Sequence, residues 1–302
     1  MPKGHPTSTA YSGDAETFQN DRTGTFTYAS FPTGWYDAAQ IDPATTSPKP
    51  SAVVINTTDA YGHMTQALAT LPAVAESQGI YRPIDAADFY KTSADVRIDQ
   101  LSDVDRSMLV EDPNNPGFLL CGCPVQVKDI VDWPMQVGFQ YSGGTADLSV
   151  DPGPVVGMVA SAVTGTWHLF AATPDAIADV DLGVQIELEK WYGVETDFDA
   201  PHGVLHGLLV DERTGATLAD KTISLSTYGA YDPSVDGVFN VESFIDGEHS
   251  LLESSNPTLN RPGLAVIDNI DAVNPRQGND HGFAYGQSHD ATLVDYFACD
   301  RG

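Results

Sequence analysis

The 302-residue sequence predicts an all-β fold, a sandwich of two antiparallel sheets. Three observations lead there. From about residue 80 onward, short runs rich in Val, Ile, Leu, Thr and aromatic residues recur, ten or more of them in about 190 residues. Turn clusters separate them, at 112–117 (Asp-Pro-Asn-Asn-Pro-Gly), Ser142–Gly144, 151–154 (Asp-Pro-Gly-Pro) and Asp211–Gly215. The best helical candidate, Ala60–Gln78, contains Gly62 and Pro72, which keep it short or broken.

In chain order, residues 1–50 are rich in Thr, Ser, Pro, Gly and Asp with scattered rings, and read as an extended arm with a short strand near Thr25–Phe31. Residues 51–79 hold a β run, Ser51–Ile55, and the helical connection. The sandwich proper is expected over 80–271. Its Ala94–Asp99 alternates apolar and charged residues as a half-buried strand should. Phe118–Cys123, Val125–Val131, Met135–Tyr141, Val155–Ala162, Thr166–Ala172 and Val184–Trp191 follow. Gly203–Asp211, Thr222–Ser226, Val238–Phe244 and Leu264–Ile270 complete the series. Residues 272–302 form a polar tail ending in an apolar stretch, Ala291–Cys299, able to dock as a last strand.

Charge excludes several partners. There are 14 Lys+Arg against 42 Asp+Glu, a net charge of −28. Such a field repels a nucleic-acid backbone and an anionic membrane surface. No run approaches 18 apolar residues, so membrane insertion is not expected, and the N-terminus lacks the apolar core of a signal peptide. The acids are 32 Asp and 10 Glu. Asp favours turns, caps and hard-cation sites, so the excess fits a loop-rich β protein, calcium or a salt-adapted surface. Cys121 and Cys123 are too close for a zinc knuckle, and a bridge from either to Cys299 stays open beside free thiols. No G-x-S-x-G elbow, phosphate-binding loop or dinucleotide fingerprint is present.

The stretch Thr164–Ala172 (TGTWHLFAA) resembles a strand of the concanavalin A-like lectin/glucanase superfamily, including laminin-G-type domains. Leu182–Glu195 is similar to the adjacent strand, and Val204–Asp220 to the hairpin that follows. Phe239–Gly247 and Gly263–Ile270 resemble closing strands. The resemblance implies a curved jelly roll whose concave sheet or edge loops bind glycans, sometimes with calcium.

Four groups of residues are candidates for chemistry. Glu187 and Glu189, two apart on an expected strand, project the same way as Gln185 and Trp191, the arrangement a glycosidase dyad needs. Glucanases of the resembled superfamily carry a longer carboxylate pattern whose middle Asp and third Glu are missing here, so a solvent-facing pair is the expectation. Trp191, Tyr192, Tyr228 and Tyr231 are candidate rings for stacking on a sugar. His202 and His206 near Asp197 and Asp199 lie too far apart on one strand to share a metal. Asp268 and Asp271 beside the expected last strand, with Asp246, and with Asp232 and Asp236 in nearby loops, are oxygen donors suited to a structural calcium, which the resemblance also implies.

The expectation is therefore a non-catalytic glycan-binding or structural protein. It would work outside the cell, in an assembly such as a phage virion, with the arms contacting neighbouring subunits in an oligomer. The competing class is a polysaccharide hydrolase or lyase of the same fold.

Overall fold

The computed structural model describes residues 14–16, 24–25, 36–37, 52–70, 79–83, 89–101, 110–117, 120, 135–141, 155–172, 176–232, 241–246 and 291–301. Two antiparallel sheets account for most of them. The larger has nine strands. Its main path runs β14 (Ala216–Ser224), β13 (Val204–Asp211), β12 (Trp191–Asp199), β7 (Phe89–Gln100) and β16 (Ala291–Arg301), then β5 (Met64–Thr70), β4 (Ala52–Thr58) and β2 (Gly24–Thr25). The ninth, β1 (Asp14–Glu16), pairs with β16. The seven-stranded sheet runs β11 (Ile177–Gln185), β10 (Thr166–Ala172), β9 (Val155–Ser161), β8 (Met135–Tyr141), β15 (Val241–Asp246), β6 (Gly79–Pro83) and β3 (Tyr36–Asp37). The architecture is an all-β jelly-roll sandwich, as the resemblance leads one to expect.

Strands from all four expected segments enter these sheets. β1, β2 and β3 from residues 1–50 pair with β16, β4 and β6, and the tail strand β16 lies between β5 and β7. Phe118–Cys123 apart from Leu120, Val125–Val131 and Leu264–Ile270 lie outside the described residues.

The helix expected within Ala60–Gln78 is replaced over Met64–Thr70 by β5. The reason is local and then tertiary. Asp59 Oδ1 accepts from the backbone N–H groups of Tyr61 and His63, and Gly62 sits at φ 81, so the chain reverses into a hairpin instead of starting a helix. β5 then pairs with β4 and β16, placing Leu68 in the main core and Ala67 and Ala69 on the opposite face. Pairing on both edges overrides the helix propensity of Met, Ala and Leu.

The main core lies between the sheets. Val96, Ile98, Tyr192, Leu205 and Leu209 of the larger sheet meet Val137, Met158, Trp167 and Leu169 of the smaller. Trp167 and Tyr192 are fully buried with ring centroids 5.3 Å apart. A second, smaller cluster covers the other face of the nine-stranded sheet, from Ala67, Ala69, Trp191 and Leu293. That outer face carries the chemistry described next.

Candidate functional site

Residues 184–191, expected as one strand, are the end of β11, a turn and the start of β12. Three hydrogen bonds fix the turn: Ile186 N–H to Gly165 O at 2.8 Å, Glu189 N–H to Ile98 O at 2.8 Å, and Glu187 N–H to the Tyr192 hydroxyl at 2.8 Å. Glu189 closes it at φ 62, in the left-handed region. Glu187 and Glu189 are therefore not strand neighbours on one pleat. Both are exposed turn residues.

They line a cleft of about 350 Å³ together with Arg97, Lys190, Asp211 and Arg213. Thr58 and Asp59 of the β4–β5 hairpin and Trp191 form the rest of its wall. The sequence reading thus finds three of its lining residues, Glu187, Glu189 and Trp191. It misses Arg97, Asp211 and Arg213, which arrive from β7, the end of β13 and the turn after it.

Lys190 organises one wall. Its Nζ lies 2.6 Å from Glu187 Oε1 and 3.2 Å from Asp211 Oδ2, and 5.3 Å from the centre of the Tyr192 ring. Burial alone would lower its pKa, but the bonds to Glu187 and Asp211 outweigh it and leave the ammonium above its ordinary value. Burial would likewise raise Asp211. The Thr214 backbone N–H and the Lys190 ammonium overcome that and hold its carboxyl below the usual range. Arg97 faces Asp99 with two bonds, 2.6 and 2.9 Å, while its guanidinium lies 5.2 Å above the Trp191 ring.

The candidate sugar-stacking rings do not gather. Trp191 is 6% exposed, its indole N–H donating to Thr58 O at 2.8 Å, so it anchors the hairpin instead of offering a free face. Tyr192 is fully buried, and burial pushes its phenol up. Tyr228 is 43% exposed, and Tyr231 is half-buried with its hydroxyl donating to Ala200 O at 2.5 Å. Tyr231 packs beside Gly203, past the Asp199 end of β12, whereas the cleft is at the Trp191 end. Eight strand steps of roughly 3.3 Å separate those ends by about 26 Å. Asp246 lies on β15, where only the backbone is described, and Asp268, Asp271 and Asp236 lie outside the described residues. Asp232 is exposed.

A second group stands on the outer face of β12. Glu195, Asp197 and His206 each place one donor atom within 4.8 Å of the others. Asp197 lies across from Lys91 on β7 and from His206 on β13. His206 Nδ1 is 3.0 Å from Asp197 and Nε2 3.0 Å from Asp220. Burial opposes its protonation, but these two carboxylates outweigh burial and raise its pKa. His202 pairs separately with Asp199, so the two histidines do not share a site. Of this group the sequence reading names Asp197 and His206, but joins them to His202 and Asp199; Glu195 escapes it, because the expected strand Val184–Trp191 stops where β12 begins.

A third arrangement is structural. His168 bonds Asp179 through Nδ1 at 2.6 Å and the Thr164 and Thr166 hydroxyls through Nε2 at 2.9 and 3.1 Å. The order hydroxyl–imidazole–carboxylate suits nucleophilic catalysis, but His168 is 1% and Thr166 4% exposed, leaving no room for a substrate.

No family model and no curated protein matches the chain. Among solved structures, it is similar to an endo-1,3-β-glucanase from Streptomyces sioyaensis, at 10% identity and TM-score 0.46, over 96% of this chain and 95% of that one. Winged bean acidic lectin is similar at 9% identity and TM-score 0.39, over 89% and 98%. The alginate lyase from Klebsiella pneumoniae is similar at 8% identity and TM-score 0.39, over 82% and 84%. Enzymes and lectins stand side by side among these structures, and at such scores no activity passes from them to this chain.

Proposed function

We propose that this is a non-catalytic glycan-binding protein whose ligand lies in the cleft at the start of β12. The observation that carries the reading is the cleft's lining. About 350 Å³ suits a small ligand, and Arg97, Arg213, Lys190, Glu187, Glu189 and Asp211 supply donors and acceptors side by side. Sugar hydroxyls both donate and accept, and guanidinium forks and carboxylates pair with adjacent hydroxyls. The enzyme alternative needs a carboxyl kept protonated to serve as general acid. Here Glu187 and Asp211 both hold the Lys190 ammonium, and Asp211 is biased toward its ionised form.

A glycan array followed by calorimetric titration tests the reading. Arg213→Ala and Glu189→Ala should each weaken the best ligand about tenfold, the loss of a charge-assisted bond. A folded protein that binds no glycan overturns it. Release of reducing ends or unsaturated uronates, abolished by Glu187→Gln, moves the protein to the hydrolase or lyase class. The setting we propose is extracellular, as a subunit of an assembly such as a virion, to be checked by light scattering at micromolar concentration. Calcium belongs to the same proposal, with Asp246, Asp268 and Asp271 as donors. Chelator should lower the melting temperature in wild type and leave Asp268→Ala unchanged.

A further inference from the structure

The outer face of the nine-stranded sheet holds charge that the cleft does not use. On β12, Thr196 points inward, its hydroxyl donating to Val137 O at 2.7 Å, so Glu195 and Asp197 point outward. Glu195 is nonetheless 2% exposed. Only one of its oxygens is satisfied: Oε1 accepts from Lys91 Nζ at 2.7 Å, while the buried Oε2 has no hydrogen bond. Asp197 Oδ1 is also buried without a hydrogen bond and has the Lys91 ammonium at 3.5 Å. Its Oδ2 faces His206, which reaches on to Asp220.

Two carboxylates and an imidazole with donor atoms within 4.8 Å match the reach and chemistry of a divalent cation. An ionised carboxylate buried with one bare oxygen is costly, and a second positive charge would satisfy it. Yet Lys91 already brings a cation to Glu195 and Asp197. The ammonium has three donors and one charge, which covers one oxygen of Glu195 and leaves the other bare.

We propose that Glu195, Asp197 and His206, the imidazole after losing a proton to solvent, are the donors of a divalent-cation site whose cation position Lys91 occupies as a tethered ammonium. Lys91 keeps the site closed to metal by occupation and by repulsion, and holds β7 to β12 where an ion would otherwise do so. The inference is independent of the glycan cleft, which lies at the Trp191 end of β12 and shares no residue with this group.

The test is a titration of Mn²⁺ alone, following loss of the free-ion electron paramagnetic resonance signal, on wild type and on Lys91→Gln. The glutamine amide can still donate to Glu195 but removes the charge. Lys91→Gln should bind one Mn²⁺ per chain at least tenfold tighter than wild type, and adding Glu195→Gln should abolish the gain. Equal affinity in wild type and Lys91→Gln overturns the proposal, as does a gain that survives Glu195→Gln. Should Lys91→Gln be unfolded by circular dichroism, folding restored by Mn²⁺ supports the site. Failure to fold with and without Mn²⁺ overturns it, because the bound ion is required to replace the lost ammonium.

Discussion

Glu189 is the non-glycine residue with positive φ among the described residues, and it stands in the wall of the cleft. Holding a side chain there costs of order 1 kcal/mol, and such costs gather where a site needs a side chain aimed against local preference. Melting curves should therefore rank Glu189→Gly at or above wild type and Glu189→Val below it by about 1–2 kcal/mol, since a β-branched residue tolerates this φ least. A valine variant as stable as wild type would remove strain from the account. Asp211 gives a pH dependence of definite sign. Its folded pKa lies below the unfolded value, so its bonds to Lys190 and Thr214 contribute stability above the ordinary carboxylate range, lost as pH falls through the folded pKa. Asp211→Asn should flatten that acid limb. Denaturant titrations from neutral to acid pH read the difference, and parallel wild-type and variant curves would refute it.

Between the sheets the fit is close at Gly207 of β13, where an added Cβ would collide with the Met158 side chain of β9 and with Leu169 of β10. Gly207→Ala should cost about 1–3 kcal/mol as overpacking, measured by urea unfolding. An unchanged midpoint would mean that the Met158 thioether and the Leu169 methyl move aside at little cost. The strands that could be read from sequence are those with a simple pattern between strong turns: Met135–Tyr141 and Thr166–Ala172 coincide with β8 and β10. β12 was illegible because its residues are buried on both faces from Trp191 to Thr196, which erases alternation. β5 looked helical because Ala, Leu and Met favour helices locally, and its partners β4 and β16 come from far along the chain as well as near. The cleft was half legible for the same reason. Glu187, Glu189 and Trp191 are neighbours in sequence, while Arg97, Asp211 and Arg213 are brought to them only by sheet order.

The whole chain carries −28, and three of its described cations are already engaged: Lys91 with Glu195 and Asp197, Arg97 with Asp99, Lys190 with Glu187 and Asp211. Those pairs relieve repulsion locally and leave the excess of carboxylates facing one another. Self-repulsion of that kind favours the expanded chain, and it is screened over about 10 Å at 0.1 M salt and about 3 Å at 1 M. The melting temperature should therefore rise steadily with NaCl across that range, each 1 kcal/mol of relief adding roughly 2–4 °C for a chain of this size class. Salts can also stabilise by exclusion from apolar surface, which does not depend on protein charge. Acidity separates the two causes. Close to the isoelectric point of about 4.2 the net charge vanishes, so the salt gain should shrink there if repulsion is its source. A gain of equal size at neutral pH and near pH 4.2 would assign the effect to exclusion, and the acidic surface would then do little for or against the folded state.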